Sequence, residues 1–239
     1  MCTLNLSRVV NERLAKHYGI PGIYGSHYRR VTLTDEARFG LLGKGAVLMV
    51  SSHTDRTSPV VRGKWVLDNL LGAPPPAPPA NVPPLDENAS QAGRVLTMRE
   101  RMEAHRKNPA CTSCHQLIDP LGFGFENYDH FGRFRSQENQ LAIDASGAVV
   151  DSPDPSIDGP FSTPVELAER LGASEAVRDC LATHWYRFAM GRIEAQGDLC
   201  SIDHARSKFR DSDGDLRELL IALTSTDAFL YRPAMVEAE

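Results

Sequence analysis

The chain has 239 residues, enough to bury a sizeable core in one or two domains. It is 41% hydrophobic and 24% charged with a formal net charge of −5, and no basic patch stands out along it. That balance argues against a general nucleic-acid binder. No apolar run reaches the roughly 20 residues a spanning helix needs, so no transmembrane segment is expected; FGLLGKGAVLMV, residues 39–50, is short and broken by glycine.

In chain order, the first 22 residues hold neither an apolar signal core nor a small-residue cleavage pattern, which taken alone points to the cytoplasm. Residues 5–18 set Leu6, Val9, Val10, Leu14 and Tyr18 near helical spacing, and GIPG ends the run, so one helix is predicted there. Thr34 or Asp35 suits the cap of a short helix that follows. TSPVVRGKWVLDNLLG predicts a second helix with Ser58 as cap, Pro59 in the first turn and Gly72 just past the end. Seven prolines between residues 74 and 84 then rule out helix or central strand and predict a polyproline spacer. A third helix, VLTMRERMEAHRKN, leads into NPACTSCHQLIDPLGFGFENYDHFGRFR.

Downstream, LAIDASGAVVDSPDPSIDGPF suggests a strand pair or irregular loop turning at Gly147. STPVELAERLG carries Ser162 or Thr163 as cap and Pro164 in the first turn. SEAVRDCLATHWYRFAMGR is the strongest amphipathic pattern, with Ala176, Val177, Cys180, Leu181, His184, Trp185, Phe188 and Ala189 on one face. Two further helices close the chain. The class expected is mainly α, with few or no short strands. The organisation expected is a helical segment over 1–73, a linker over 74–90 and a domain over 91–239 that holds the NPACTSCH stretch and the C-terminal helices.

The chemistry concentrates at Cys111, Cys114 and His115. A structural zinc site wants four N/S ligands, usually from two hooks, and only one hook is present. A thioredoxin-like dithiol should end a strand in a βαβ unit, whereas here a charged helix precedes it. Attachment of one haem c fits better. Two thiols one helical turn apart can each add to a vinyl group, and the adjacent imidazole is then directed at the iron. The other ring nitrogen needs a fixed acceptor, for which the carbonyl of Pro120 or Ile118 is well placed. Gly122 and Gly124 would let backbone approach a flat ring, and Phe123, Phe125, Tyr128, Phe131 and Phe134 would line it; the plain alternative is an aromatic core segment.

The stretch HRKNPACTSCHQLIDPLGFGFENYDHFGRFR resembles the cytochrome-c-like C-terminal module of secreted planctomycete- and myxobacteria-type multidomain proteins built from domains of unknown function 1592, 1588 and 1585. VNERLAKHYGIPG resembles the end of the first, residues 38–85 the second, and CLATHWYRFAMGRIEAQGDLCSIDHARSKF with the helices after it the third. The resemblance implies export, a covalently held haem on Cys111, Cys114 and His115, and a longer natural chain, so that Met1 looks like a truncated start and the protein periplasmic or extracellular. It carries over no catalytic residue. It also bears on Cys180 and Cys200, whose helix-turn-helix placement would allow a disulfide in an oxidising compartment; two buried free thiols are the alternative.

Candidates for the second iron ligand are Met190 and His53, or an open position; Met98, Met102 and His105 sit on the helix entering the motif and are less suited to cross to the far side. His17, His27, His130, His184 and His204 read as ordinary histidines. Three functions follow: a one-electron carrier module with a redox partner protein still to be identified, a haem-dependent oxidoreductase or peroxidase-like domain, and a non-catalytic scaffold.

Overall fold

The computed structural model describes residues 6–77, 90–91, 94–106 and 109–231, without the side chains of 90, 91, 109–111 and 113. Most of the proline-rich spacer therefore lies outside the described residues. The fold is mainly α, about 52% helical, and every sheet among the described residues is a two-stranded antiparallel pair.

The first element corrects the sequence expectation. Residues expected to be helical from the start instead open with strand β1 (Ser7–Val10), and helix α1 (Glu12–Tyr18) begins only after Asn11. Val9 and Val10 favour extended backbone, and the Asn11 side chain accepts from the Leu14 N–H, capping a helix that could not extend through it. Gly19 closes α1 at φ 70°. Strand β2 (Arg29–Thr32) pairs with β1, Ser7 opposite Thr32. Asp35 caps a single 3-10 turn at Glu36–Arg38, and helix α2 (Gly45–Val50) follows.

Helix α3 (Pro59–Val66) is as predicted: Ser58 accepts from the Val61 N–H, Pro59 fills the first turn, and the helix runs into a π turn at Leu67–Leu71 that Gly72 ends. A minimal pair, β3 (Ser90–Gln91) and β4 (Arg94–Val95), precedes α4 (Met98–His105). Thr97 and Glu100 form a reciprocal capping box there. The motif itself lies on a separate helix, α5 (Pro109–Phe123), rather than at the end of the helix before it. Strands β5 (Gln137–Glu138), β6 (Leu141–Ala142), β7 (Gly147–Val149) and β8 (Gly159–Phe161) form two small pairs, with Gly147 in a strand rather than at a turn. Helices α6 (Pro164–Ala173), capped by Thr163, and α7 (Glu175–Met190), capped by Ser174, follow, then α8 (Leu199–Asp211), α9 (Leu216–Thr224) and α10 (Asp227–Leu230).

Helices α3 and α5 run antiparallel in backbone contact. A Cβ added to Gly63 would lie 1.9 Å from the Ile118 carbonyl oxygen, and one added to Gly122 would lie 1.9 Å from that of Pro59. Only glycine permits so close an approach. Val66, Leu67, Leu71, Ile118, Leu121, Phe125, Tyr128, Phe161 and Leu167 fill the space around this pair in one main core. That core draws on both sides of the proline-rich spacer, with Leu48 and Val66 from before it beside Ile118 and Phe161 from after it. The division expected at 74–90 does not divide the molecule's packing.

A second core gathers Ala182, Tyr186, Ile202, Phe209, Leu219 and Leu223. The face of α7 is not the one its sequence suggested. Tyr186 is wholly buried, whereas Phe188 is 78% exposed. The reason is that α7 bridges two cores: Val177 packs toward the first, while Ala182 and Tyr186 pack into the second. One apolar stripe cannot describe a helix with two partners.

Candidate functional site

Helix α5 places Cys111, Cys114 and His115 within little more than one turn. Residues three apart on a helix share a face, so the backbone puts Cys111 and Cys114 on the same side; of the two side chains, Cys114 is described. It is a free, half-buried thiol packed against the main core.

His115 is held by its own helix. Its Nδ1 lies 2.9 Å from Oδ1 of Asp119, four residues on. The Asp119 side chain is completely buried; its Oδ2 accepts no hydrogen bond and lies 3.5 Å from Nε of Arg106. Arg106 in turn sits 5.8 Å from the Phe123 ring centroid, and Arg99 lies over the same ring at 4.1 Å. Thus α4 docks its C-terminal end on α5 through one buried carboxylate. The His105 ring stands edge-on to His115 at a centroid distance of 5.4 Å. Among the described residues the His115 ring makes no second hydrogen bond, and its Nε2 has no partner there.

The carbonyls expected to hold the His115 ring are engaged elsewhere. That of Ile118 abuts Gly63, and that of Pro120 abuts Gly147, where an added Cβ would come within 2.0 Å. Pro120 therefore serves the packing of α5 on β7, and Asp119 does what it was expected to do. Sequence reasoning missed Asp119, although a His and an Asp four apart on one helix are a readable signal. Gly122 is likewise used against α3 and Gly124 against the Phe161 ring. Phe125 and Tyr128 belong to the main core and Phe123 packs with Met98 and Met102, while Phe131 and Phe134 are exposed. The aromatic run is thus chiefly protein core, the plainer of the two readings.

Met190 and His53 are the candidates named for the far side of the iron. Met190 packs at the second core. His53 is exposed in the turn before α3, where its N–H donates to the Arg56 carbonyl. The residue the fold puts against the His115 ring is His105.

The expected Cys180–Cys200 bridge is not formed. Both thiols are free. Cys180 faces inward, 3.6 Å from the Asn69 carbonyl oxygen and close to Gly72, with its thiol pKa raised by burial. Cys200 is exposed in the first turn of α8. One sulfur packs under the π turn after α3 while the other meets solvent, and that separates them.

A buried ion network anchors the far end of α5. Arg62 donates to the carbonyls of Phe125, Tyr128 and Asp129 at 2.7 to 2.8 Å. Glu126 lies 3.5 Å from Arg62, accepts from Thr57 Oγ1 at 3.0 Å and from Arg135 at 3.1 Å. Burial lowers the Arg62 pKa to about 10 and raises that of Glu126 against the pull of Arg62 and Arg135. Thr57 and Ser58 thereby give the polar run HTDRTSP a structural purpose.

Among the described residues no three His, Cys, Asp or Glu side chains gather to hold a metal ion, and no helix is long and apolar enough to cross a membrane. Residues 38–138 match the family model of a protein of unknown function, DUF1588, and residues 158–229 match that of a second, DUF1585. The first match runs across the proline-rich spacer, as the main core does. No curated protein and no solved structure matches the chain.

Proposed function

We propose that the chain is a c-type haem-binding, one-electron transfer module of a larger exported protein. The observation that carries this reading is the pinned imidazole: His115 directly follows Cys114, and Asp119 occupies its Nδ1 while Nε2 has no hydrogen-bond partner among the described residues. A metal-ligating histidine needs this arrangement, one nitrogen fixed and the other available. The described donor set suits a macrocycle that brings its own four nitrogens better than it suits a bare ion, because it offers one oriented imidazole rather than a cluster. Cys111 and Cys114 would hold the group covalently, and His115 would supply the axial nitrogen.

When bound, a haem supplies a one-electron ferric/ferrous couple. The chain's own contribution is rigidity. The α3–α5 contact and the Arg62–Glu126 network fix α5 at both flanks of the motif's downstream half, so His115 and Asp119 move as one body. A carrier benefits from such stiffness because little need rearrange when charge changes. Export rests on the resemblance of the haem segment and not on a disulfide.

The test is production in a periplasm equipped for c-type maturation. The mass should rise by one haem, and the protein should show a low-spin reduced spectrum. Cys111→Ala with Cys114→Ala should abolish the covalent mass. A folded wild-type chain that leaves that compartment without porphyrin would refute the proposal. A high-spin spectrum that shifts with cyanide or carbon monoxide would instead favour a haem enzyme.

A further inference from the structure

We infer that Asp119 is the positioning residue of the proposed iron ligand and that its carboxylate makes the centre a low-potential one, suited to pass electrons to acceptors of higher potential. The inference rests on the haem reading above.

Three features of the fold single Asp119 out. It is fully buried on α5 one turn beyond His115, with Oδ1 at 2.9 Å from Nδ1. A buried carboxylate is costly to keep unless it is paired, and its nearest cation, Arg106 at 3.5 Å, makes no hydrogen bond to the otherwise unsatisfied Oδ2. Finally, the neutral alternatives have been spent, since the carbonyls of Ile118 and Pro120 face Gly63 and Gly147. His115 is therefore the only hydrogen-bond donor to this carboxylate among the described residues.

An imidazole whose N–H points at a carboxylate is a stronger electron donor through its other nitrogen than one bonded to a carbonyl. Stronger donation favours the more positively charged oxidation state of a bound iron. The couple involves one electron, taken from a donor protein or from dithionite in the assay, with no bond made or broken in the polypeptide. Because Asp119 and His115 share a rigid helix, the bond is built in before any cofactor arrives.

The experiment uses the full chain matured with haem. Covalent haem content of the wild type is measured first by the pyridine haemochrome; its absence overturns the functional reading and this inference together. With haem present, Asp119→Asn and Asp119→Glu are poised at one fixed ambient potential. In Asp119→Asn the ferrous-to-ferric ratio should rise about tenfold, equivalent to about 59 mV for one electron. Asp119→Glu should restore most of the difference. A ratio within twofold of wild type in Asp119→Asn, with haem content intact, overturns the inference and leaves haem binding standing. Should that variant fail to fold, the reduced wild type decides. Its His115 Nδ1 proton, read by 15N-resolved NMR, should be strongly downfield and slow to exchange, and a freely exchanging proton overturns the inference.

Discussion

Replacing Gly63 with alanine tests the contact on which α5 depends. Alanine is the better helix former by about 1 kcal/mol, so on propensity alone the change would stabilise α3. The built Cβ, however, would sit 1.9 Å from the Ile118 carbonyl oxygen and 2.8 Å from its carbon, where ordinary contact begins near 3.4 Å. The obstacle is backbone on both sides, so no side-chain rotation relieves it. The helices must separate by more than an ångström, and the packing of Val66, Leu67, Ile118 and Leu121 goes with them. Overpacking of this kind costs about 1–3 kcal/mol; the upper end applies because the clash is backbone against backbone, and it outweighs the propensity gain. Urea unfolding should show a net loss of about 2 kcal/mol, with a lower midpoint at unchanged slope. Gly197→Ala, where an added Cβ meets nothing within 4 Å, is the control and should change stability by less than about 0.5 kcal/mol. If Gly63→Ala proves as stable as wild type, the two backbones do not touch as described and the rigidity argued for α5 fails with them.

Arg62→Ala should cost about 3–5 kcal/mol, since it takes a buried donor from the Tyr128 carbonyl, a second donor from those of Phe125 and Asp129, and leaves buried Glu126 facing one fewer cation; a midpoint shift worth less than about 1 kcal/mol would refute the network's role. Thr97→Ala removes the cap of α4 and should lose about 1 kcal/mol, with faster amide exchange confined to the first turn at Met98–Arg101. Equal exchange rates there would show that the capping box is idle. Between α7 and α8, hydrogen bonds from Arg187 hold Glu194 down to about 2, and those from Arg192 hold Asp198 well below the usual carboxylate range. Folded-state values lowered in this way add stability that is present above the ordinary carboxylate range of about 4 and is lost as pH falls toward 2. Arg187→Gln with Arg192→Gln should therefore flatten the stability profile between about pH 4.5 and 2, measured as thermal midpoint against pH. A slope identical to wild type would refute the assignment.

Much of the helical scaffold was legible because its signals are local. Ser58, Pro59 and Gly72 bracket α3 and its π turn, and Thr163 and Pro164 open α6, through caps whose chemistry involves only neighbours. The spacing of Cys111, Cys114 and His115 likewise put them within little more than one helical turn, as α5 does. What escaped was set by partners far away in sequence. Gly122 reads equally well as room for a ligand or for another helix, and only the position of Pro59 decides. The strand at Ser7–Val10 mimics helical spacing over four residues, too few to separate periods of 2 and 3.6. The buried face of α7 depends on α8 and α9, which no pattern within α7 can report. Asp119 was hidden by expectation rather than by physics, since a backbone acceptor was sought where a side chain one turn along was available.

Cys114 points toward the main core from the helix that α3 seals against. A group joined to that half-buried sulfur would border the core that α3 and α5 share. Its attachment and the docking of those two helices would then bear on each other, so that loading before folding and loading after it would be different reactions.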